Sequence, residues 1–175
     1  MRCIAVFALA CWPLMAQINE VPRSGEDDPW RPLRFLLGTW EGRTQGGAAQ
    51  ASASGAYTFQ LDLRNHVLAR HTAGDTCKGP ADFNCEHSDL LYVYRPGPGQ
   101  LLKAIYFDNE GHVINYDVTT PEPNTAVFMS PATGPGPQFR LMYKLDGRVM
   151  KGAFQMRMPG QNDFRSYLEW AGAKK

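Results

Sequence analysis

The residues of this chain best suited to chemistry are four histidines, two late cysteines, and a band of aromatic and methionine side chains. His66 and His71 are five positions apart, so on one strand their side chains face opposite ways and cannot share a metal without a bulge. His112 follows the turn sequence Asp108-Asn109-Glu110-Gly111 and reads as solvated. His87 is a single candidate ligand. No His-x-His or His-Glu-x-x-His pattern occurs, so no metal centre is expected. His87 adjoins Ser88-Asp89, but a triad assembles in space and not along the chain. Neither a Gly-x-Ser-x-Gly elbow nor a phosphate-cradling glycine loop is present. Asp108, Asp117 and Glu169 read as solvated carboxylates at strand ends or faces. No residue is assigned a catalytic role.

Cys77 and Cys85 enclose a short segment, Lys78 to Asn84. Their spacing is not Cys-x-x-Cys, and an exported chain with one remaining pair oxidises it, so a structural disulfide is expected. Residues 1–16 carry the marks of an export signal. Arg2 supplies the positive start, Ile4 to Ala10 an apolar stretch, and Pro13 a break before Ala16, where cleavage is expected. The segment is too short and interrupted to span a bilayer stably. A lipoprotein acylated at Cys11 is the alternative. The expected location is the periplasm or the extracellular space. Residues 17–32 are polar and read as an N-terminal tail, and residues 33–172 as a single domain.

Formal net charge is +1, and loss of Arg2 removes even that. With no basic patch or charge run, nucleic acid and anionic membrane are poor partners. The chain is 43% hydrophobic and 20% charged, enough for one ordinary core.

The elements that must position these residues are strands. A short helix or turn is expected over Pro29 to Leu37, with Asp28 as its cap. From Gly38 the apolar period is two. Tyr57, Phe59, Leu61 and Leu63 alternate with Thr58, Gln60, Asp62 and Arg64, and Phe139, Leu141 and Tyr143 alternate with Arg140, Met142 and Lys144. Asp146-Gly147 is a strong two-residue hairpin signal. The chain therefore reads as all-β, with about ten short strands joined by tight turns. No helix is long enough for a crossover, so the sheet must be antiparallel. Sequential hairpins favour an up-and-down meander that closes into a barrel to hide its edges. A two-sheet sandwich has the same periodicity. A barrel wider than eight strands leaves interior room.

Phe35-Leu36-Leu37-Gly38-Thr39-Trp40-Glu41-Gly42 resembles the start of nitrobindin-like and lipocalin-like barrels. The nitrobindin pattern ends in a further glycine, where this chain has Thr44. Ser88-Asp89-Leu90-Leu91-Tyr92-Val93-Tyr94 and Tyr167-Leu168-Glu169-Trp170 look more like a family of uncharacterised bacterial secreted proteins of that fold. The resemblance implies that Trp40 plugs the closed end of the barrel against a cation, for which Arg157 and Arg165 are candidates. It also implies a haem, held in nitrobindins by one histidine of the final strand. That position falls here at Glu169 or Tyr167, and no histidine follows His112. Tyrosine can ligate haem iron, but alternation turns Tyr167 and Glu169 to the face opposite Leu168 and Trp170, outward.

Tyr92, Tyr94, Tyr106, Phe107 and Tyr116, with Met142, Met150, Met156 and Met158, can line an adaptable apolar pocket. The expected ligand residues are Trp40, Phe59, Leu61, Ile105, Tyr116, Arg140, Leu141, Phe154, Met156 and Trp170, with Tyr116 and Arg140 as the polar groups. The expectation is a barrel that buries a small hydrophobic molecule. The alternatives are an isomerase, haem-dependent or cofactor-free, and a packed barrel that acts through its surface.

Overall fold

The computed structural model describes residues 28–81, 83–132 and 135–175. The expected signal over 1–16, Cys11, and most of the tail over 17–32 lie outside the described residues. A short 3-10 helix, Arg31–Leu36, leads into ten strands: β1 (Gly38–Gly46), β2 (Ser52–Asp62), β3 (Val67–Lys78), β4 (Asp89–Tyr94), β5 (Lys103–Asp108), β6 (Val113–Thr119), β7 (Thr125–Met129), β8 (Gln138–Asp146), β9 (Val149–Arg157) and β10 (Arg165–Lys174). Every pair of sequence neighbours is antiparallel, and β1 also pairs with β10, closing the meander into a barrel. The sandwich alternative is thereby excluded. Among the described residues, closure leaves no free sheet edge to template association.

One end of the barrel is sealed. Leu33 and Leu36 of the helix are fully buried and join a core with Phe59, Leu68, Leu91, Val93 and Phe128. Pro32 at the helix start fits its fixed φ, and Asp28 accepts from the Trp30 amide at 3.0 Å. The Trp30 indole donates to the Asn65 carbonyl at 2.7 Å, tying the helix to the β2–β3 turn.

The opening glycine motif has a specific mechanical meaning. Gly38, at φ +112°, turns the chain from helix into β1, a conformation L side chains resist. Trp40 is buried in the core, and its indole donates to the Leu36 carbonyl at 2.8 Å. The cation near it is Lys174, 5.6 Å from the ring centroid, not Arg157 or Arg165. Arg157 instead lies over Phe164, 4.9 Å from its centroid, outside the barrel. Gly42 leaves room for Tyr57 and Trp170, whose ring atoms would stand 3.2 and 3.4 Å from an added Cβ.

Other local expectations shift. β2 ends at Asp62, and Leu63 turns out to solvent, 68% exposed, in a turn with φ +48°. The β8–β9 hairpin is centred on Gly147-Arg148, one residue later than Asp146-Gly147, because Asp146 pairs with Val149. His66 lies in the β2–β3 turn, while His71 is on β3, with its ring edge-on to Tyr92 at 6.4 Å. They do not share a strand.

Candidate functional site

The far half of the barrel is hollow. A cavity of about 870 Å³ opens between the β3–β4 loop, the β5–β6 turn and the start of β10. One wall is apolar, formed by Phe139, Leu141, Phe154, Met156, Leu168 and Trp170. Phe139 and Phe154 stack across neighbouring strands at 5.7 Å and 10°. The floor is Tyr143, fully buried, with its ring edge-on to Phe59 at 5.2 Å and to Trp170 at 5.7 Å.

The opposite wall is polar and comes from residues far apart in sequence. Arg70 on β3 donates through one terminal nitrogen to the Tyr143 hydroxyl and through the other to Asp89 on β4. The Thr72 hydroxyl donates to the Asp89 carboxylate at 3.1 Å and accepts from the Asp89 amide at 3.1 Å. Leu68, Arg70 and Thr72 share parity on β3, as do Asp89, Leu91 and Val93 on β4. That parity carries a cation and a carboxylate to the inside.

A second polar cluster rims the opening. His87, in the β3–β4 loop, bonds Glu110 through Nδ1 at 2.9 Å, meets the Tyr106 hydroxyl through Nε2 at 3.1 Å, and lies 3.5 Å from Asp89. Tyr106 donates on to Asp108 at 3.3 Å, and His112 bonds Asp108 at 2.9 Å. Asn84 donates to Glu110 at 3.1 Å, and Asn109 holds the loop from the other side through the Glu86 carbonyl at 2.8 Å. The Cys77–Cys85 disulfide pins the base of this loop, as its spacing predicts.

Electrostatics follow from these contacts. The bond with Asp89 comes first in pushing His87 up to about 9, with Glu110 adding to it against the effect of burial. Burial would raise Asp89, but Arg70 and His87 overcome it and bring the carboxyl down to about 2. Burial pushes the phenols of Tyr57, Tyr106, Tyr116 and Tyr143 well above their ordinary range.

His87, Asp108 and Glu110 each present one ligand atom within 4.8 Å of the others, a grouping that histidine spacing alone does not reveal. All three are already hydrogen-bonded within the protein.

Of the ten expected ligand residues, Tyr116, Leu141, Phe154, Met156 and Trp170 line the cavity together. Trp40 and Phe59 lie in the packed core of the sealed end, and Leu61 packs against that core one rung from the β2–β3 turn. Ile105 sits on the outer face, opposite in parity to Tyr106. Arg140 is also outside. It donates to Gln155 at 2.6 Å and covers the Phe164 ring at 4.2 Å.

Of the wider aromatic and methionine band, Tyr106 lines the cavity, Met150 is core, and Phe107 and Met158 are exposed. Tyr167, expected outward, lines the cavity instead. A bulge between Ser166 and Leu168 inserts it without a β9 partner, and its ring meets Phe154 edge-on at 6.3 Å.

Fold and site together define a closed ten-stranded antiparallel barrel with an internal cavity. No family model and no curated protein matches the chain. Among solved structures the barrel is similar to Rv2717c from M. tuberculosis, with a TM-score of 0.54 over 84% of this chain and 97% of that one, at 15% identity. A likeness at that identity shows a shared fold.

Proposed function

We propose that this barrel is a container for one small apolar or amphipathic molecule, and that it works outside the reducing cytosol. The supporting observation is the cavity of about 870 Å³ with one apolar wall and one buried polar wall. Its size lies within the range of roughly 300–1,000 Å³ typical of small-molecule sites. Affinity would come from removing apolar ligand surface from water, at roughly 25 cal/mol per Å². A packed barrel acting through its surface has no need of such a space.

Proton-transfer chemistry is a weaker fit. The carboxyl of Asp89 near 2 and the imidazole of His87 near 9 both lie far from the neutral value that suits a general base. The disulfide fits an oxidising compartment.

Nile red titration tests the container. The native protein should take up the dye with a rise in fluorescence, and Phe154→Arg should abolish it while the protein stays folded. A native protein that takes up no dye would sink the proposal.

A second reading is haem. The histidine-ligated route has no histidine on β10, but the bulge brings Tyr167 into the cavity lining, and a phenolate can ligate haem iron. A Soret band that disappears in Tyr167→Phe would support it, and no band at all would end it.

A further inference from the structure

Two arginines share one aromatic ring on the outer wall of the barrel. Arg140 on β8 and Arg157 on β9 place their guanidinium carbons 4.2 and 4.9 Å from the centroid of Phe164, between β9 and β10. A guanidinium is attracted to an aromatic face, but two like charges on one ring repel each other. Burial, and then the neighbouring Arg157 charge, push the Arg140 guanidinium below its usual value. Among the described residues no carboxylate pairs with either arginine, although Asp163 adjoins Phe164 in the chain. The two lie on different strands, with Arg140 opposite Gln155 and Arg157 opposite Gln138, so no charge run announces them.

Both guanidiniums are held in place by neutral partners. Arg140 Nε donates to Gln155 at 2.6 Å, and Gln155 donates on to the Ser166 hydroxyl at 3.0 Å. Arg157 donates to the Gln138 side chain and, at 3.4 Å, to the Asn162 carbonyl. Gln138 is itself anchored on the Ser130 carbonyl at 2.7 Å. Among the described residues the terminal nitrogens of Arg140 have no acceptor. Both side chains are half-buried, so little rotamer freedom is left to lose on binding. Beside Arg157 lies a hollow of about 310 Å³, lined also by Gln138, Met158 and Pro159.

The number of charges narrows the ligand. One carboxylate would leave one of the two cations unmet. A phosphate group carries about −1.5 to −2 at neutral pH and offers three acceptor oxygens. The planar fork of arginine matches such oxygens two at a time.

We infer that Arg140 and Arg157 form an oxyanion site for a phosphate group, either the free ion or a monoester of a small organic molecule. The site lies on the outer wall, outside the cavity, and does not depend on the container reading.

The test follows the arginine Nε–Hε resonances of the intact disulfide-bonded protein by NMR at constant ionic strength. Inorganic phosphate should shift those of Arg140 and Arg157 saturably, and sodium chloride should not. Sodium acetate should bind roughly tenfold more weakly than phosphate, because it brings one charge and not two. Arg140→Gln and Arg157→Gln should each weaken phosphate roughly tenfold while amide resonances away from β8, β9 and β10 stay in place. Either variant serves if the other folds poorly. Phenyl phosphate distinguishes the two sources: tighter binding than inorganic phosphate assigns a monoester whose body rests in the hollow, and equal binding assigns the free ion.

A phosphate titration with no saturable shift beyond the chloride control overturns the inference. Acetate binding as tightly as phosphate overturns it too, as does phosphate affinity left unchanged by both substitutions.

Discussion

Arg70 donates to the Asp89 carboxylate inside the barrel, with 5% and 11% of the two side chains exposed. Each charge is tolerable there because of the other. Removing the guanidinium leaves a carboxylate enclosed with only Thr72 and His87 to hold it. Arg70→Met should therefore lower unfolding free energy by about 3–5 kcal/mol, read from urea denaturation. Adding Asp89→Leu to that variant should recover much of the loss, because no charge then remains stranded. A double variant no more stable than Arg70→Met would show that the pair is not the cause.

The pH profile should have two limbs. His87 is held near 9 in the folded protein against an ordinary value of 6.5, so its contribution is complete below about 6.5 and is lost as pH rises toward 9. Asp89 is held near 2 against an ordinary 3.8, so its contribution is complete above about 4 and is lost as pH falls toward 2. Melting temperature should peak between about pH 4 and 6.5 and fall on both sides by a few degrees. The alkaline limb should be the shallower, since His87 is 37% exposed and screened by solvent. His87→Gln should flatten that limb and, because His87 also helps hold the Asp89 carboxyl down, make the acid limb shallower as well.

Reduction of Cys77–Cys85 opens a loop with a sequence separation of 8. In the chain-entropy description that loop gains about 2.5 kcal/mol from closure. The paired variant Cys77→Ser/Cys85→Ser should lose a comparable amount. Amide exchange should rise first in the segment between β3 and β4, which His87 and Asn84 tie to Glu110. Uniform exchange across the barrel would contradict a local role for the bridge.

Gly152 faces Trp170 across the β9–β10 pair, and an added Cβ would stand 2.1 Å from the indole. Gly152→Ala must push the indole out of the cavity wall. About 1–3 kcal/mol of stability should go with it. The tryptophan emission of this variant should shift to the red, and an unchanged spectrum would contradict the close contact.

The barrel was legible because its rule is local. Alternation in Tyr57-Thr58-Phe59 or Phe139-Arg140-Leu141, and a turn after each run, specify antiparallel neighbours without knowledge of distant partners. The polar wall was hidden because its rule is not local. Arg70 and Tyr143 lie 73 residues apart, and only barrel closure brings their strands face to face. A signal did exist. Arg70 falls in phase with Leu68, and Asp89 with Leu91, so each charge shares the parity of a buried neighbour. On a single strand such a residue looks like an edge, and only a complementary charge on another strand says otherwise. Tyr167 was missed because a bulge shifts parity without any glycine or proline to announce it. Arg140 lies outside for the opposite reason: no bulge interrupts β8 there, so its parity, opposite to that of Phe139 and Leu141, sets it against Gln155 and Phe164.

The helix seal at Leu33 and Leu36 closes one end of the barrel, so among the described residues the cavity opens at the other end. Anything held inside must leave by the route it came. Loosening the rim around His87 and Glu110 would then speed arrival and departure together, leaving equilibrium occupancy nearly constant while residence time shortens. Changes to the wall at Phe154 or Trp170 would act on departure alone.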